Sequence, residues 1–357
     1  MKAILFRKRR INIYLDLCLF IFLSIYPFIT SAFRVEVMGK VIAYMIFALA
    51  LDLLWGYTGM LSMGHAVMFG IGAYISALSL AFQKGLPTFM QKSGLTEIPI
   101  LMRPLENPAI AILAGIVLPA ILAFIIGSFL FSSRVNGVFF TIITLAISSI
   151  FYTVVNNQQK YFGGYNGITG VSRPSLFGEI LSIQQYYYCA IIVLIFCYII
   201  CRIIVNRRLG KTICAIRDNE QRVRFLGYNT SHFKVLIYVI SSMLAGVAGM
   251  LYASFNSVVS PNDLAPALST MVIIWCAIGG IGTLSGALFG TLIINSSATF
   301  FSEYATNYWQ AMLGIIIVLF VVFLPNGLIG KLLKLQHDRE VSAKRGKLGI
   351  FQAKKEV

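Results

Sequence analysis

Acidic side chains are scarce in this chain. Only 13 Asp and Glu stand against 29 Lys and Arg, and charged residues of both signs make up 12% of the 357 positions. A soluble domain carries about twice that charged share, so an ordinary soluble enzyme and a charge-rich disordered segment are both excluded. Histidine is scarcer still. His65, His232 and His337 are the three copies, too scattered to suggest a metal site. The six cysteines include no C-x-x-C pair, so neither a disulfide scaffold nor a redox motif is indicated. Cys18, Cys189, Cys197, Cys201 and Cys276 lie in apolar stretches and read as buried small hydrophobes, whereas Cys214 lies in a basic stretch. Signatures of an engine are missing as well. Gly210-Lys211-Thr212 has the end of a phosphate-binding loop, but Val205 stands where the first glycine belongs, and no strand precedes it. No H-E-x-x-H or G-x-S-x-G occurs. The chain is therefore not expected to be an enzyme, nor to hold a cofactor or a metal.

What fills the sequence instead is apolar. Hydrophobic residues account for 58% of it, and the mean hydropathy is +0.82. Long stretches carry no charge at all: 17–33, 53–83, 109–133, 135–159, 180–201, 235–262, 264–302 and 304–330. A spanning helix needs about 20 residues, so the longer stretches must hold a hairpin, a re-entrant segment or an apolar loop. Helices are expected near 13–33, 38–57, 62–82, 109–131, 137–156, 186–204, 234–256, 267–282, 284–301 and 308–324. This reading gives an all-α polytopic membrane protein of about ten transmembrane helices over residues 13–330. A basic N-terminus (1–12) precedes it and a basic tail (331–357) follows. Residues 13–33 are long for the apolar core of a signal peptide and read as a retained helix.

An even number of spans puts both termini on one side, and Lys and Arg should concentrate on the cytoplasmic side. With the N-terminus inside, residues 1–10, Arg134, the 202–234 segment and the tail from Lys331 all fall inside. Only Arg34, Lys40, Lys84, Lys92, Arg103, Lys160 and Arg173 fall outside. The positive charge is thus a topology signal rather than a nucleic-acid footprint, and membrane lipid rather than nucleic acid is the expected surrounding. Two external loops result, about 83–108 and 157–185, the first irregular because it holds Pro87, Pro99, Pro104 and Pro108.

Three features stand out against this background. The cytoplasmic segment about 205–233 carries both signs of charge, including Arg217, Asp218, Glu220, Arg222 and Arg224. Ile216, Val223 and Leu226 fall on one face at helical spacing, and Gly227 suits a helix end. Such a segment is suited to docking on another protein, or is simply a solvated loop. The second feature is a glycine-rich run, Trp55-Gly56-Tyr57-Thr58-Gly59-Met60-Leu61-Ser62-Met63-Gly64-His65. Its G-x-L-S is echoed at Gly282-Thr283-Leu284-Ser285. Glycines here serve helix packing or break a helix where backbone lines a cavity. In the second case Gly59, Ser62, Gly64 and His65 face a polar path, with Thr141, Thr144, Asn156, Trp275 and Asn295 as further candidates; each of these is otherwise an interhelical hydrogen bond or core packing. The third is Asp52, a carboxylate within an apolar span, which needs a partner. Asp16, near the start of the first span, reads as interfacial.

Taken in order, these motifs resemble the permeases of branched-chain amino acid and urea ABC importers. The resemblance runs from the 55–65 signature through Ser133–Thr144, Gly163–Thr169, Ala215–Asp218, Arg222–Tyr228 and Ile274–Gly280. It closes with Tyr308-Trp309 and Phe323-Leu324-Pro325-Asn326-Gly327. Within that family, Arg222–Tyr228, the Ile274-Trp275 and Tyr308-Trp309 pairs and the long external loop are most similar to the urea-type permease. The resemblance implies the ABC importer permease fold and a multi-pass protein of the bacterial inner membrane. It implies a second permease subunit, two cytoplasmic ATP-binding subunits that hydrolyse the nucleotide, and an external substrate-binding protein. Segment 215–228 becomes the coupling helix that meets an ATP-binding subunit, through Ala215, Arg217, Asp218, Glu220, Arg222 and Gly227. Asp52, Gly59, Ser62, Gly64, His65, Thr141, Thr144 and Trp275 become candidates for the translocation path. Where a charged residue is expected between the glycines near 280, Ile281 stands instead. Urea is the expected solute, since few fixed charges lie within the spans. A branched-chain amino acid is the alternative, and an autonomous channel or secondary carrier is a reading of a different class, one that has no need of a docking segment.

Overall fold

The computed structural model describes residues 2–133, 135, 137–176 and 179–304, together with 314–315, 318–319 and 327–328. Twelve helices occur among them. They are α1 (Lys2–Ile29), α2 (Ala32–Thr58), α3 (His65–Phe82), α4 (Thr88–Lys92), α5 (Pro108–Ser132) and α6 (Val138–Asn157). Then follow α7 (Gln159–Phe162), α8 (Ile183–Asn206), α9 (Arg208–Phe225), α10 (Thr230–Asn256), α11 (Pro266–Gly279) and α12 (Leu284–Tyr304). Seven of these are long and apolar enough to cross a membrane, namely α2, α3, α5, α6, α8, α10 and α12; Tyr14–Ile29 and Pro266–Gly279 are shorter apolar helices. Nine of the ten expected helices thus have a counterpart. The tenth, 308–324, and the basic tail lie outside the described residues apart from the few isolated positions named above.

Local chemistry sets the helix ends. Pro108 opens α5 behind Asn107, whose side chain accepts from Ala109 N at 3.0 Å. Ser182 and Gln185 form a reciprocal capping box at the start of α8. The loop after α3 is less irregular than its prolines suggest, since α4 and a 3₁₀ turn at Arg103–Glu106 organise it. Two-residue antiparallel pairs, β1 (Ile168–Thr169) with β4 (Val258–Val259) and β2 (Ser175–Leu176) with β3 (Glu179–Ile180), hold the connection between α7 and α8.

The helix α2 is the axis of the bundle. It packs on α8, α10, α11 and α12, its Phe47 stacks on Phe69 of α3, and from Val41 to Leu54 nearly every side chain is sealed from the surface. Lipid tails are as apolar as Leu, so apolar burial gives little gain inside a membrane, and close packing and interhelical hydrogen bonds do the holding. Both are present. Gly72 of α3 lies against the Gly246 carbonyl of α10, and Gly286 and Gly290 of α12 lie against α11. Hydroxyls reach carbonyls on neighbouring helices, from Tyr187 to Leu23 at 3.0 Å, Tyr188 to Ser24 at 3.1 Å and Ser231 to Phe131 at 2.9 Å.

Asp16, expected near the membrane interface, is enclosed by the protein: Tyr198 and Arg202 of α8 reach its Oδ2, Arg202 at 3.2 Å. Two other expectations change. Cys18 and Cys189 are exposed on the outer surface of the bundle, while Cys197, Cys201 and Cys276 are buried as expected. An exposed thiol on a lipid-facing helix still meets an apolar solvent, so burial within the protein is not required of it. Leu226 is three-quarters exposed and does not share a face with Ile216 and Val223, which are buried. The reason is the interrupted course of α9, described below.

Candidate functional site

Asp52 finds its partner on another helix pair. Its Oδ1 accepts from Gly282 N at 2.7 Å, in the turn between α11 and α12, and its Oδ2 is buried without a hydrogen-bond partner among the described residues. Gly56, one helical turn on, is tightly enclosed: a Cβ there would collide with the Asp52 carboxylate and the Gly282 backbone. The Gly56 carbonyl in turn accepts from Arg217 Nη1 at 2.6 Å. Arg217 also runs past both glycines of the repeated G-x-L-S motif. Its Cγ lies 3.0 Å from where a Cβ on Gly59 would be, and its Nη1 lies 3.6 Å from the same point on Gly282. Both glycines have a left-handed backbone, φ +76° at Gly59, which ends α2, and φ +74° at Gly282, in the turn between α11 and α12. One side chain of α9 therefore touches the two places where the apolar helices break. Asp218 pairs with the same guanidinium at 3.2 Å on the exposed side, a contact that water screens.

The helix α9 is two pieces. Asn219 leaves the helical region (φ −160°, ψ 93°), and its side chain accepts from Arg222 N at 3.0 Å, which caps the short piece that follows. The first piece carries Ile213 and Ile216 into the core and delivers Arg217 to α2. The second is tied to α10. Glu220 receives Arg224 at 2.6 Å, Thr230 at 2.9 Å and Lys234 at 2.7 Å. Burial pushes the Glu220 carboxyl up, but its bonds to Lys234, Thr230 and Arg224 outweigh that and hold it below the usual carboxylate range. Ala215, Arg217, Asp218, Arg222 and Gly227 are exposed. Beyond them Phe225 is 89% and Tyr228 51% exposed, an apolar tip beside the charges.

The loop from Gly59 to Gly64 is supported from two other helices. Thr141 of α6 donates to the Leu61 carbonyl at 2.9 Å, and Thr144 Oγ1 accepts from Met63 N at 3.2 Å. Ser269 of α11 accepts from Ala66 N at 2.8 Å. Gly64 is pressed against the Thr144 backbone. The first turn of α3 thus has partners for amides that a helix start leaves open. His65, fully buried, sets its Nε2 2.8 Å from Ser241 Oγ and stacks on Phe47. Ser62 is buried in the same loop. Trp275 stands apart from this group, against Tyr44 at 5.1 Å between ring centres.

The sequence candidates therefore fall into three groups. Asp52 and Gly59 join Arg217; Ser62, Gly64, His65, Thr141 and Thr144 gather around one loop; Trp275 belongs to an aromatic cluster. Ser241, Ser269, Lys234 and Asn219 escaped sequence reasoning. A lone serine in an apolar span carries no signal of which backbone it will meet, whereas the Asn219 break is foreshadowed by its type, since Asn competes with helix through its side chain. Among the described residues no group of three or more His, Cys, Asp or Glu could hold a metal ion.

Residues 33–321 match the family described as branched-chain amino acid transport system / permease component. The chain belongs to this permease family. It is 27% identical to the high-affinity branched-chain amino acid transport system permease protein LivM of Salmonella typhimurium, over 85% of this chain and 72% of that one. It is 24% identical to the probable branched-chain amino acid transport permease protein LivM of Methanocaldococcus jannaschii, over 80% and 90%. The LivH permease protein of Escherichia coli is 23% identical, over 85% and 96%. No solved structure matches. As a member of this permease family the chain is a multi-pass membrane protein and a transport component, and the relatives named are branched-chain amino acid permeases rather than urea permeases. Both turns that meet at Arg217 lie within the matched region.

Proposed function

We propose that this chain is a membrane-spanning subunit of an ATP-driven importer of branched-chain amino acids in the bacterial inner membrane. It would work with a second permease subunit, two cytoplasmic ATP-binding subunits and an external substrate-binding protein. The observation that carries the reading is Arg217. It joins an exposed, mixed-charge segment to both helix breaks, so a partner seated on α9 gains leverage on the interior. The exposed Phe225, Leu226 and Tyr228 give that partner an apolar anchor beside the charged residues.

The face of α6 supports a second permease subunit. The helices α5 and α6 are equally open to the outside, but α5 exposes Ile112, Leu113, Phe124 and Phe129 and has an exposed hydroxyl only at its last residue, Ser132, whereas α6 exposes Ser149 and Thr153 before its end. Both α6 hydroxyls fold back onto carbonyls four residues earlier, at 3.1 and 2.8 Å. Lipid tails give such groups nothing, so we place the second permease and the solute path on this side. Here Thr141 and Thr144 hold the 59–64 loop at the edge of the path, and Asp52 anchors the turn behind it.

The substrate follows from the relatives' printed roles. Urea, suggested by Ile274-Trp275 and the long external loop, is the second reading. Uptake separates them. Expressed with its partner subunits in a host lacking its own carriers, the chain should support ATP-dependent uptake of labelled leucine, competed by isoleucine and valine. Arg217→Glu should lower that uptake to background while the protein still inserts. Uptake of urea but not leucine would replace the substrate; unaltered uptake by the Arg217 variant would overturn the coupling role.

A further inference from the structure

A pocket of about 230 Å³ opens between α2 and α12, with Tyr26 of α1 as a third wall. It lies at the end of the bundle opposite α9, since α2 lines it with its first turns and meets Arg217 with its last. Along α2 the lining runs from Arg34 to Val41, and along α12 from Glu303 back to Ser296. Either stretch is about 10 Å at 1.5 Å per residue. The outer end is charged. The closest atoms of Arg34 and Glu303 are 3.6 Å apart, beyond the about 2.7–3.2 Å of an N–H···O bond, and neither side chain makes a hydrogen bond among the described residues. So open a pair contributes little, and both groups keep their capacity for a ligand. The start of α2 adds to the positive side, because Ser31 gives no side-chain cap and no acidic residue stands in the first turn. Further in, Met38 and Val41 of α2 face Phe300 of α12. Ser296 and Thr299 bring hydroxyls, that of Thr299 already donated to the Asn295 carbonyl at 3.0 Å.

Charge and size together select the ligand. A simple anion on Arg34 would be repelled by Glu303, and a simple cation on Glu303 by Arg34. A zwitterion with its two charges a few bonds apart satisfies both. At about 30 Å³ per water the pocket equals roughly eight waters, a size that an amino acid with a branched aliphatic side chain fills. An acyl chain runs half the depth of a hydrocarbon core of roughly 30 Å, so the pocket is too short to be its groove. The apolar inner wall suits an aliphatic side chain, and Met38 adapts to its branching.

We propose that this pocket binds a free branched aliphatic amino acid, its carboxylate on Arg34, its ammonium on Glu303 and its side chain against Met38 and Phe300. None of these residues belongs to the group around the 59–64 loop, so this is a second site rather than the path. Its ligand would join α2 to α12 at the end opposite the Asp52–Gly282 bond. The branched side chain rests on the substrate reading above; the zwitterion rests on the charge pair alone. Equilibrium binding of labelled leucine to the purified full-length chain in lipid nanodiscs, without partner subunits, tests the site. One leucine per chain should bind, with isoleucine and valine competing. Leucine amide, which lacks the carboxylate, and 4-methylpentanoate, which lacks the amine, should compete about tenfold less well or worse. Arg34→Gln and Glu303→Gln should each weaken binding about tenfold or more, with the thermal midpoint unchanged. Thr299→Phe, which fills the pocket, should abolish binding. Arg103→Gln breaks an exposed ion pair of the same 3.6 Å length elsewhere and should change nothing. Phosphatidylethanolamine carries the same two charges in its headgroup, so leucine should bind equally in nanodiscs with and without it. Absence of bound leucine, unaltered binding in the Arg34 and Glu303 variants, equal competition by the single-charge analogues, or displacement by phosphatidylethanolamine would each overturn the proposal. Leucine uptake by the assembled importer without binding here would sink the site and leave the substrate reading standing. Binding here alongside uptake of urea alone would do the reverse.

Discussion

Gly59-Met60-Leu61-Ser62 and Gly282-Thr283-Leu284-Ser285 bring the same short sequence to one guanidinium from two helix pairs, yet they are fastened differently. The first leads into a loop that runs to Gly64 and hangs on neutral groups, the hydroxyls of Thr141, Thr144 and Ser269. The second is a tight turn closed by Thr283 onto the Gly280 carbonyl and bound by the Asp52 carboxylate. A hydrogen bond to a charged group contributes about 1.5–3 kcal/mol, against about 0.5–1.5 for a neutral pair. Bond for bond the fastening of the second turn is the stronger, and the first spreads its hold over three weaker bonds that can exchange one at a time. The helix that enters the bundle from the first loop, α3, is also the one packed glycine to glycine on α10.

That contrast can be broken experimentally. The largest structural effect should come from Gly56→Ala, because the added methyl meets the Asp52 carboxylate and the Gly282 backbone. Overpacking of this kind costs about 1–3 kcal/mol or more, and a lowered thermal midpoint in detergent would report it. Asp52→Ala should follow at about 1–3 kcal/mol, since it leaves the half-buried Gly282 amide unpaired, and Asp52→Asn should recover part of the loss by keeping an acceptor. Thr144→Val removes one neutral bond and should cost about 1 kcal/mol. If Thr144→Val proves as harmful as Asp52→Ala, the ranking of the two turns is wrong.

The smallest effect concerns pH and compares the two pieces of α9. Glu220 is held below its ordinary range, so its contribution to stability is present above the unfolded Glu value of about 4.3 and is lost as pH falls through its lower folded value. The first piece is held to α2 through a backbone carbonyl instead. Acidification should therefore loosen the Glu220–Lys234 side first, visible as faster amide exchange around 220–234, and Glu220→Gln should remove the pH dependence.

Much of the architecture was legible in the sequence because a membrane helix announces itself by length and absence of charge. The ends of α3, α5 and α6 fall within a few residues of expectation for that reason. The resemblance carried by 55–65 and 215–228 likewise reached the permease family. What escaped is what depends on distance. The partner of Asp52 is a backbone amide 230 positions away, and backbone amides have no sequence signature. The burial of Asp16 within the protein depends on Tyr198 and Arg202 meeting it from α8, and a position near a span end carries no sign of those partners. Leu226 was misplaced because a periodic pattern was extended across Asn219, where the backbone changes direction. The urea reading rests on Arg222–Tyr228, two residue pairs, one loop length and the scarcity of charge in the spans, too little sequence to separate substrates within one family.

The break at Asn219 has a mechanical consequence. The piece before it is bolted to α2 through a guanidinium, and the piece after it is bolted to α10 through a carboxylate. A load applied at the Phe225 tip is consequently shared between two independent linkages rather than carried by one stiff rod. Straightening that joint would weld the linkages together and oblige α2 and α10 to travel as a unit.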